Sequence, residues 1–305
     1  MYDIIIIGAG PAGLTAAIYG RRANKKVLVL EAKTYGGQII NTLDIENYPV
    51  EAHISGFDFA TKLYNQTKDL GAEIVFEKAI EIKDGDIKEV ITEKNTYKSV
   101  SVILATGSFN RKLGIENEDE LVGKGVSYCA TCDGAFYKKK RVAVVGGGNT
   151  ALEDALYLSE IADTVYLIHR RDSFRGEEVT LSKLKEKDNV KIIYNSNVTK
   201  LNKNNVLESI DVTDKDGNIT KLEVDGLFIA VGRIPENRNF AKVVELDEAG
   251  YAIAKEDCHT NTPGIFVAGD NRVKLLRQLV TATGDGAVAA TEAIKYINSK
   301  KVKNV

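Results

Sequence analysis

Short runs of apolar residues alternate with amphipathic stretches along most of this chain. The runs Tyr2 to Ile7, Val27 to Leu30 and Val100 to Ala105 are rich in β-branched residues, which is typical of strands buried on both faces. An Ala-rich stretch follows the first run, and Phe57 to Leu70 has the apolar spacing of a helix. Buried strands that alternate with helices predict a parallel sheet covered by helices, an α/β fold.

The same pattern predicts further elements. Strands are expected at Arg141 to Val145, Val165 to Ile168, Val190 to Asn195, Leu207 to Thr213, Lys221 to Val224, Leu227 to Val231 and Gly264 to Asp270. Glu73 to Glu81 and Ile87 to Thr92 are expected to form a small antiparallel insertion. Residues 35–49 have turn chemistry and predict a loop. A long helix from Arg277 to Ile297 is expected to be interrupted at Gly284 and Gly286.

A glycine-rich turn joins the first strand to the first helix. It contains Gly8, Gly10, Ala12 and Gly13, and the next strand ends at Glu31. Such glycines let backbone N–H groups approach a pyrophosphate at a helix N-terminus, and an acid about 20 residues on accepts a hydrogen bond from a ribose hydroxyl. We interpret the unit as a dinucleotide site, against the alternative of a tight turn alone.

A second strand, turn and helix repeat the first at a constant offset. Gly146, Gly148 and Ala151 correspond to Gly8, Gly10 and Gly13, and Asn149 and Thr150 stand at the start of the helix. The repeat predicts two nucleotide-binding domains of one design, and 305 residues suffice for two domains with their own cores.

The two repeats differ where the second strand ends. Glu31 corresponds to His169, which Arg170, Arg171 and Arg175 follow. An acid at this position holds a free 2′-hydroxyl and repels a 2′-phosphate, whereas arginines bind the phosphate. The second site is therefore predicted to take NADPH rather than NADH, and the alternative is a solvated basic patch.

Three cysteines occur, too few for a disulfide-rich secreted scaffold. Cys129 and Cys132 can close a small disulfide ring, and Asp133 follows directly. This arrangement favours redox chemistry in which the acid donates and accepts the proton. Asp133 is alternatively a turn residue. A non-enzymatic alternative makes the pair, with Cys258 and His259, a zinc site.

Composition changes this picture little. A net charge of −2 gives no general attraction for nucleic acid or an anionic membrane. The first ten residues lack a basic region before their apolar run, and that run is too short to span a membrane, so we expect neither a signal peptide nor an anchor. We expect a cytoplasmic protein.

With these residues assembled, the chain closely resembles the low-molecular-weight, bacterial-type thioredoxin reductases over essentially its full length. The matching motifs are the turn Gly8 to Gly13, Gly36-Gly37-Gln38, Glu46-Asn47-Tyr48-Pro49, Cys129-Ala130-Thr131-Cys132-Asp133-Gly134, His169-Arg170-Arg171 with Arg175, and Gly269-Asp270 with Arg277-Gln278. Asn149 and Thr150 depart from the Asp and Ser usual in the family. Both keep small polar groups at a helix start, so we expect altered detail rather than lost binding.

The resemblance implies two doubly wound, three-layer dinucleotide-binding domains, the second inserted into the first. A FAD domain would comprise residues 1–112 and 239–305, and an NADPH domain residues 113–238. The implied FAD-binding residues are Gly8, Gly10, Ala12, Gly13, Glu31 (ribose), Gly36, Gly37, Gln38, Asn47, Thr106, Gly107, Gly269, Asp270 (ribitol), Arg277 and Gln278 (flavin ring region). The implied NADPH-binding residues are Gly146, Gly148, Asn149, Thr150, His169, Arg170, Arg171 and Arg175.

The resemblance also implies an activity: electrons pass from NADPH through FAD to the Cys129–Cys132 disulfide and on to thioredoxin. The inserted domain is expected to rotate about its two crossings, with Cys132 accepting the electrons, Cys129 attacking thioredoxin and Asp133 moving the proton. The family is usually homodimeric. An alternative is a relative that takes electrons from ferredoxin, although such relatives lack the glycine and arginine signatures. A further alternative is the flavoprotein of a peroxide-reducing system. Such proteins carry an additional N-terminal thioredoxin-like region with its own Cys-x-x-Cys pair, and this alternative is disfavoured because the first turn here begins at Gly8.

Overall fold

The computed structural model describes residues 1–42, 44–51 and 53–302, with the backbone alone for residues 301 and 302. It separates into two compact units. Unit 1 comprises Met1–Phe109 and Ile234–Val305, and unit 2 comprises Asn110–Arg233. These boundaries lie a few residues before those expected from the sequence.

Unit 1 contains a seven-stranded sheet with helices beside it. With elements numbered in chain order, its strands are β1 (Tyr2–Ile7), β2 (Val27–Leu30), β3 (Glu73–Val75), β4 (Ala79–Lys83), β5 (Lys88–Thr92), β6 (Thr96–Leu104) and β17 (Ile265–Val267). Its helices are α1 (Pro11–Arg22), α2 (Gly56–Asp69) and α6 (Leu279–Val302), with 3₁₀ helices at Gly37–Asn41 and Arg238–Phe240.

Strand pairing in this sheet is mixed. Strands β3, β2, β1, β6 and β17 pair in parallel, and β6, β5 and β4 continue the sheet in antiparallel pairing. The expected single strand from Glu73 to Glu81 is thus wrong. Its first part, β3, extends the parallel sheet beside β2, and only β4 belongs with β5 in an antiparallel pair.

Side chains of β1 alternate between two cores. Ile4 and Ile6 pack with the helices α1 and α6, and Ile5 and Ile7 pack on the opposite face with residues such as Val90 of β5. All four isoleucines are buried because helices cover one face of the strand and a second layer of chain covers the other. Unit 1 therefore has the three-layer arrangement that its unbroken apolar strands predict.

Helix α6 runs without interruption from Leu279 to Val302, so the expected break at its glycines is wrong. A Cβ atom at Gly286 would lie 2.2 Å from the carbonyl oxygen of Ala12 in α1. Glycine at this position allows two helices to approach closely, a packing role that sequence spacing alone does not distinguish from a break.

Unit 2 contains a five-stranded parallel sheet and a three-stranded antiparallel sheet. Its strands are β8 (Val126–Ser127), β9 (Arg141–Gly146), β10 (Thr164–Ile168), β11 (Val190–Ile193), β12 (Ser196–Lys203), β13 (Leu207–Asp214), β14 (Ile219–Glu223) and β15 (Gly226–Ala230). Its helices are α3 (Ala130–Asp133), α4 (Asn149–Ser159) and α5 (Glu178–Lys185), with a 3₁₀ helix at Gly134–Tyr137.

The parallel sheet of unit 2 has the order β11, β10, β9, β15, β8. Val142 and Val144 of β9 pack against α4 and α5, whereas Ala143 and Val145 pack toward the antiparallel strands β12 and β13. Unit 2 is therefore also layered on both faces of a parallel sheet. The fold class predicted from the sequence, two doubly wound α/β units with one inserted into the other, is confirmed.

The chain passes between the units twice, and the two passages pair. Strand β7 (Ser108–Asn110) and strand β16 (Arg233–Pro235) form a two-stranded sheet. A hydrogen bond from Arg111 N to Gly232 O, 2.9 Å long, extends this pairing. Among the helices of the described residues, none is both long and apolar enough to cross a membrane.

Candidate active site

The first glycine-rich turn in unit 1 is compact. Gly8 has φ +112°, and a Cβ there would lie 2.2 Å from the Ala105 carbonyl oxygen. A Cβ at Gly13 would lie 1.9 Å from the Gly8 oxygen, whereas at Gly10 it would meet nothing closer than 3.9 Å. Gly8 and Gly13 are thus required by the turn itself, and Gly10 leaves open space at the N-terminus of α1, where no side chain caps the helix.

Glu31 stands at the end of β2 and holds the same turn. Its Oε2 accepts a hydrogen bond from the Ala9 N–H at 2.8 Å, and its Oε1 accepts one from the Lys33 N–H at 2.9 Å. Each carboxylate oxygen has more than one lone-pair position, so Glu31 can still accept from a ribose hydroxyl.

The segment Gly36 to Gln38 lies against this turn. The Gly36 N–H donates to the Ala9 carbonyl at 2.8 Å, and a Cβ at Gly37 would lie 3.3 Å from the Gly10 Cα. Gly36 and Gly37 have φ values of +100° and +62°. A 3₁₀ helix containing Gln38 follows, so this stretch is more ordered than the loop that its composition predicts.

Asn47 and Gln278 meet although 231 positions separate them. The Asn47 Nδ2 donates to the Gln278 Oε1 at 3.2 Å. Gln278 directly precedes α6, and its N–H donates to the Thr281 hydroxyl at 3.1 Å. The contact joins two candidate FAD residues from distant parts of the sequence.

A buried ion pair supports the turn at Gly269 and Asp270. The Gly269 N–H donates to Asp285 Oδ2 at 2.9 Å, and Arg272 donates to both oxygens of that carboxylate at 2.8 Å. Burial favours the neutral acid, but hydrogen bonds from Arg272 and Lys274 keep the pKa of Asp285 below its ordinary value. Arg272 and Asp285, which sequence reasoning missed, are thus part of the frame of this turn.

Arg277 contacts the turn at Gly269 and Asp270. Its Nε donates to the Asp270 carbonyl at 3.3 Å, and its guanidinium lies 4.1 Å from the Tyr251 ring centroid. This position beside Asp270 agrees with a role at the cofactor site.

Thr106 and Gly107 lie in another turn of unit 1, just after β6. The Asn271 Nδ2 donates to the Thr106 hydroxyl at 3.0 Å and to Asn237 Oδ1 at 3.2 Å, and both asparagines are buried. Gly107 has φ +69°, and a Cβ there would meet nothing within 4 Å. Amide hydrogen bonds therefore tie the turn at Thr106 to the turn at Gly269, a link between distant residues that no sequence spacing indicates.

These observations test whether unit 1 fits FAD. Its turns at Gly8, Gly36, Gly107 and Gly269 all belong to unit 1, and the first is directly contacted by the second. Open space over Gly10 and Gly107 leaves room for a ligand close to the backbone, and the uncapped N-terminus of α1 presents N–H donors to a phosphate. The residues present fit a dinucleotide.

The second glycine-rich turn, in unit 2, resembles the first in outline. Gly148 precedes α4, no side chain caps this helix, and a Cβ at Gly148 would meet nothing within 4 Å. Asn149 Oδ1 accepts a hydrogen bond from the Glu177 N–H at 2.8 Å, and Thr150 is exposed. The side chain of Asn149 thus stabilises the loop that precedes α5.

His169 is a structural part of the second turn. A Cβ at Gly147 would lie 2.0 Å from the His169 ring, and the ring stacks on Phe174 with a centroid distance of 4.8 Å. The His169 Nε2 lies 3.0 Å from the Ser173 carbonyl oxygen, which can only accept. Burial lowers the pKa of His169, so the ring is neutral at pH 7 and does not supply positive charge to the site.

Arg170, Arg171 and Arg175 are all exposed. The Arg175 N–H donates to the Gly147 carbonyl at 2.8 Å, which places that residue beside the turn. Within the described part of the chain, none of the three guanidinium groups forms an ion pair or a side-chain hydrogen bond. Arginines beside an open helix N-terminus fit the 2′-phosphate of NADPH.

Cys129 and Cys132 form a disulfide at the short helix α3, with 5.3 Å between their Cα atoms. Both residues are half-buried. Ser127, at the end of β8, accepts a hydrogen bond from the Cys129 N–H at 3.1 Å through its hydroxyl. Strand β8 pairs with β15, so the parallel sheet fixes the residues that lead into the disulfide.

Asp133 lies beside the disulfide and is mostly shielded from solvent. Burial raises the pKa of Asp133, and a hydrogen bond from the Ser127 hydroxyl, 2.6 Å long, partly opposes that rise. A carboxyl group with a raised pKa is suited to give and take a proton. Ser127 therefore contacts both the peptide of Cys129 and the candidate acid, and the residue was missed because a serine at a strand end carries no signal of its own.

The zinc alternative does not match this geometry. Cys129 and Cys132 are joined in unit 2, whereas Cys258 belongs to the core of unit 1, where burial raises the pKa of its thiol to about 12. A zinc site requires thiolates. Among the described residues, one group of possible metal ligands comes together, Asp44, Glu46 and His53, with ligand atoms within 4.8 Å of one another. His53 is largely exposed and hydrogen-bonded to Asp44.

The profile of the pyridine nucleotide-disulphide oxidoreductase family matches residues 2–286. The two turns, the half-buried disulfide and this match define a flavin-dependent pyridine nucleotide-disulphide oxidoreductase, an enzyme that uses FAD and NADPH.

Similar proteins identify one family within this class of oxidoreductases. The thioredoxin reductase of Listeria monocytogenes is 44% identical over 99% of this chain and 95% of its own length, and that of Bacillus subtilis is 40% identical over 97% and 95%. The crystal structure of thioredoxin reductase from Streptococcus pyogenes, 40% identical, covers 98% of this chain and 99% of its own with a TM-score of 0.94. The Lactococcus lactis enzyme in its FR conformation, also 40% identical, covers 98% and 100% with a TM-score of 0.68. The chain belongs to the thioredoxin reductase family.

Proposed function

We propose that this protein reduces the disulfide of thioredoxin with NADPH. The observation that carries the proposal is the half-buried Cys129–Cys132 disulfide beside a shielded carboxyl group, in a chain with two open nucleotide turns. The net reaction converts NADPH, a proton and the thioredoxin disulfide to NADP⁺ and the thioredoxin dithiol. When bound, NADPH supplies a hydride and FAD passes the electron pair to the disulfide of the protein.

Unit 1 is the proposed FAD-binding unit. Its N–H groups at the start of α1 bind the pyrophosphate, Glu31 accepts from the ribose, and Asp270 holds the ribitol. Gln278 and Asn47, which are hydrogen-bonded to each other, orient the flavin ring region. The turns at Gly36, Thr106 and Gly269 would contribute further contacts to the cofactor.

Unit 2 is the proposed NADPH-binding unit. Gly146, Gly148 and the start of α4 receive the pyrophosphate. Arg170, Arg171 and Arg175 bind the 2′-phosphate, and their exposure without an ion pair in the described structure supports this role. His169 has a structural role in this site, because its neutral ring packs against Gly147 and stacks on Phe174.

The two cysteines have different tasks in this proposal. The electron pair enters at the Cys132 sulfur, the S–S bond breaks, and Cys129 leaves as a thiolate that takes a proton from Asp133. Deprotonated again, Cys129 attacks one sulfur of the thioredoxin disulfide and forms a mixed disulfide. Cys132 then attacks Cys129, releases reduced thioredoxin and restores the starting disulfide.

We further propose that unit 2 rotates between two poses, so that the disulfide and the nicotinamide reach the flavin in turn. The two solved relatives support this idea. They are equally similar to this chain in sequence, yet their TM-scores of 0.94 and 0.68 differ, and the Lactococcus lactis enzyme is in an FR conformation. A fold with two arrangements of its units produces such a difference without a change within either unit.

We also propose a homodimer in the cytoplasm. The dimer rests on the family resemblance, and its test is the molar mass in solution. Cytoplasmic location is consistent with cysteine usage, because three cysteines with one redox pair suit a reducing compartment.

Single-cysteine variants test the assignment. Cys129→Ser should abolish thioredoxin reduction, since the attacking sulfur is lost, while NADPH still reduces ferricyanide, which needs no dithiol. Cys258→Ser is the matched control and should keep both activities. Thioredoxin reduction by the Cys129→Ser protein would contradict the assignment of the attacking sulfur.

A further inference from the structure

A buried carboxylate at the start of unit 2 stands out from the other acids of that unit. Glu118 is 3% exposed, although the glutamates and the aspartate around it, Glu116, Asp119 and Glu120, are exposed. Burial of a glutamate is costly unless its oxygens accept hydrogen bonds. The partners of Glu118 therefore indicate what its burial achieves.

Glu118 accepts three hydrogen bonds from two separate segments. Its Oε1 accepts from the Leu113 N–H at 3.0 Å and from the Tyr128 hydroxyl at 2.6 Å, and its Oε2 accepts from the Gly114 N–H at 2.8 Å. Leu113 and Gly114 follow directly on the first passage of the chain into unit 2. Tyr128 directly precedes Cys129.

The two segments that Glu118 joins also have other contacts. Leu113 and Tyr128 both pack against the same hydrophobic core of unit 2. Ser127, one residue before Tyr128, is fixed by strand pairing and hydrogen-bonds the Cys129 N–H. Burial and the nearby Glu118 raise the pKa of the Tyr128 hydroxyl, which therefore remains a donor throughout the working pH range.

We propose that Glu118 is a positioning residue that fastens the first residues of unit 2 to the segment carrying the disulfide. Charge-assisted hydrogen bonds are roughly twice as strong as neutral ones, and three on one carboxylate fix both segments. Leu113 to Cys129 then moves as one body when the chain turns at the passage before Leu113. The role rests on the proposed function, because it matters only if the disulfide must reach two different partners.

The test compares Glu118→Gln with Glu116→Gln, an exposed glutamate two positions away. Glutamine has nearly the same shape, but its amide nitrogen cannot accept from a backbone N–H. We expect Glu118→Gln to lower NADPH-dependent thioredoxin turnover about tenfold or more, as for the loss of a charge-assisted hydrogen bond. Ferricyanide reduction by NADPH should stay unchanged, and Glu116→Gln should match the wild type in both assays.

Hydrogen exchange supplies a readout that does not depend on activity. The amides of Leu113 and Gly114 should exchange about tenfold faster or more in Glu118→Gln than in the wild type, because their acceptor is weakened. Wild-type thioredoxin turnover in Glu118→Gln, equal losses in both activities, or unchanged exchange at these amides would each overturn the proposal.

Tyr128→Phe keeps the proposal testable if Glu118→Gln does not fold. This variant removes one of the three hydrogen bonds and should give a smaller loss of thioredoxin turnover with ferricyanide reduction intact. The loss in the double variant should be smaller than the sum of the two single losses, since both changes act on one hydrogen-bond network. A wild-type enzyme without thioredoxin activity would refute the proposed function, whereas the exchange comparison would still judge the role of Glu118.

Discussion

The two units share a strand–turn–helix design and differ in the residues that follow the second strand of each. Each has a parallel strand, a glycine-rich turn and a helix with an uncapped N-terminus. In unit 1 the residue after the second strand is Glu31, whose carboxylate is hydrogen-bonded to the turn. In unit 2 it is His169, a neutral ring packed on Gly147, followed by three exposed arginines.

Backbone conformation also separates the two turns. Gly8 has φ +112°, whereas Gly146 is not among the described residues with positive φ. The third position is Gly13 in one unit and Ala151 in the other, and Ala151 is fully buried. The third position of the turn therefore accommodates a side chain in unit 2 but not in unit 1, whereas a Cβ at Gly146 would lie 2.4 Å from the Ala230 carbonyl oxygen, nearly as close as a Cβ at Gly8 to that of Ala105. We propose that the ligand preference depends on the side chains that follow the second strand.

Exchanging the third residue of each turn should change cofactor content the most, because a side chain at position 13 leaves the first turn unable to keep its conformation. Gly13→Ala places a methyl group 1.9 Å from the Gly8 oxygen, so the turn must deform, at a cost of about 1–3 kcal/mol or more. We expect loss of bound FAD. Ala151→Gly should cost about 1–2 kcal/mol, from helix propensity and from the loss of a buried methyl group. FAD content and thermal unfolding check both variants, and equal behaviour would show that the turns are equally tight.

Removing the arginines should change the nucleotide preference of unit 2. Arg170→Ala with Arg175→Ala removes charge-assisted contacts of about 1.5–3 kcal/mol each. The KM for NADPH should rise while that for NADH is nearly unaffected. Arg141→Ala, at the opposite end of β9, is the matched control. Equal losses for both nucleotides would show that these arginines do not bind the 2′-phosphate.

Neutralising Glu31 should affect only unit 1. Glu31→Gln weakens the hydrogen bond from the Ala9 N–H and the acceptor for the ribose, so we expect the Kd for FAD to rise about tenfold. The KM for NADPH should stay constant in protein saturated with FAD. Glu248→Gln, an exposed acid in the same unit, should leave FAD binding unchanged. A change in NADPH affinity instead would reverse the assignment of the two sites.

The smallest expected effect concerns pH. Burial lowers the pKa of His169 in the folded protein below its ordinary value of 6.5, so the unfolded chain binds a proton more readily. Its contribution to stability is complete above pH 6.5 and is lost as the pH falls through the folded-state pKa. Thermal unfolding at pH 7.5 and 5.5 should show a larger drop for the wild type than for His169→Gln. Equal drops would mean that the ring titrates normally.

Elements with strong local signals were predicted well. The strands β1, β2, β9 and β10, the helix α1 and both turns follow from apolar runs bounded by glycines, and these runs are buried on both faces. Strand β12, Ser196–Lys203, was missed because polar side chains dominate its sequence and its partner β13 supplies the order. The short strands β7 and β16 exist only through their mutual pairing, which no local pattern indicates.

Candidate site residues were likewise predicted where a local motif marks them and were missed elsewhere. Motif residues such as Glu31 and Cys129 carry a recognisable spacing, so the sequence could indicate them. Ser127, Glu118 and the pair Arg272 and Asp285 act through hydrogen bonds to backbone or to partners that only the folded chain brings close. Their residue types are common at any surface, and burial rather than spacing reveals them.

The most direct test of the central claim is an anaerobic titration of the purified protein, followed by its visible absorption. We predict a yellow protein whose flavin absorbance is bleached by NADPH, far less readily by NADH, and restored when oxidised thioredoxin is added. A colourless protein with no bound flavin, or a bleached flavin that oxidised thioredoxin leaves unchanged, would contradict the account.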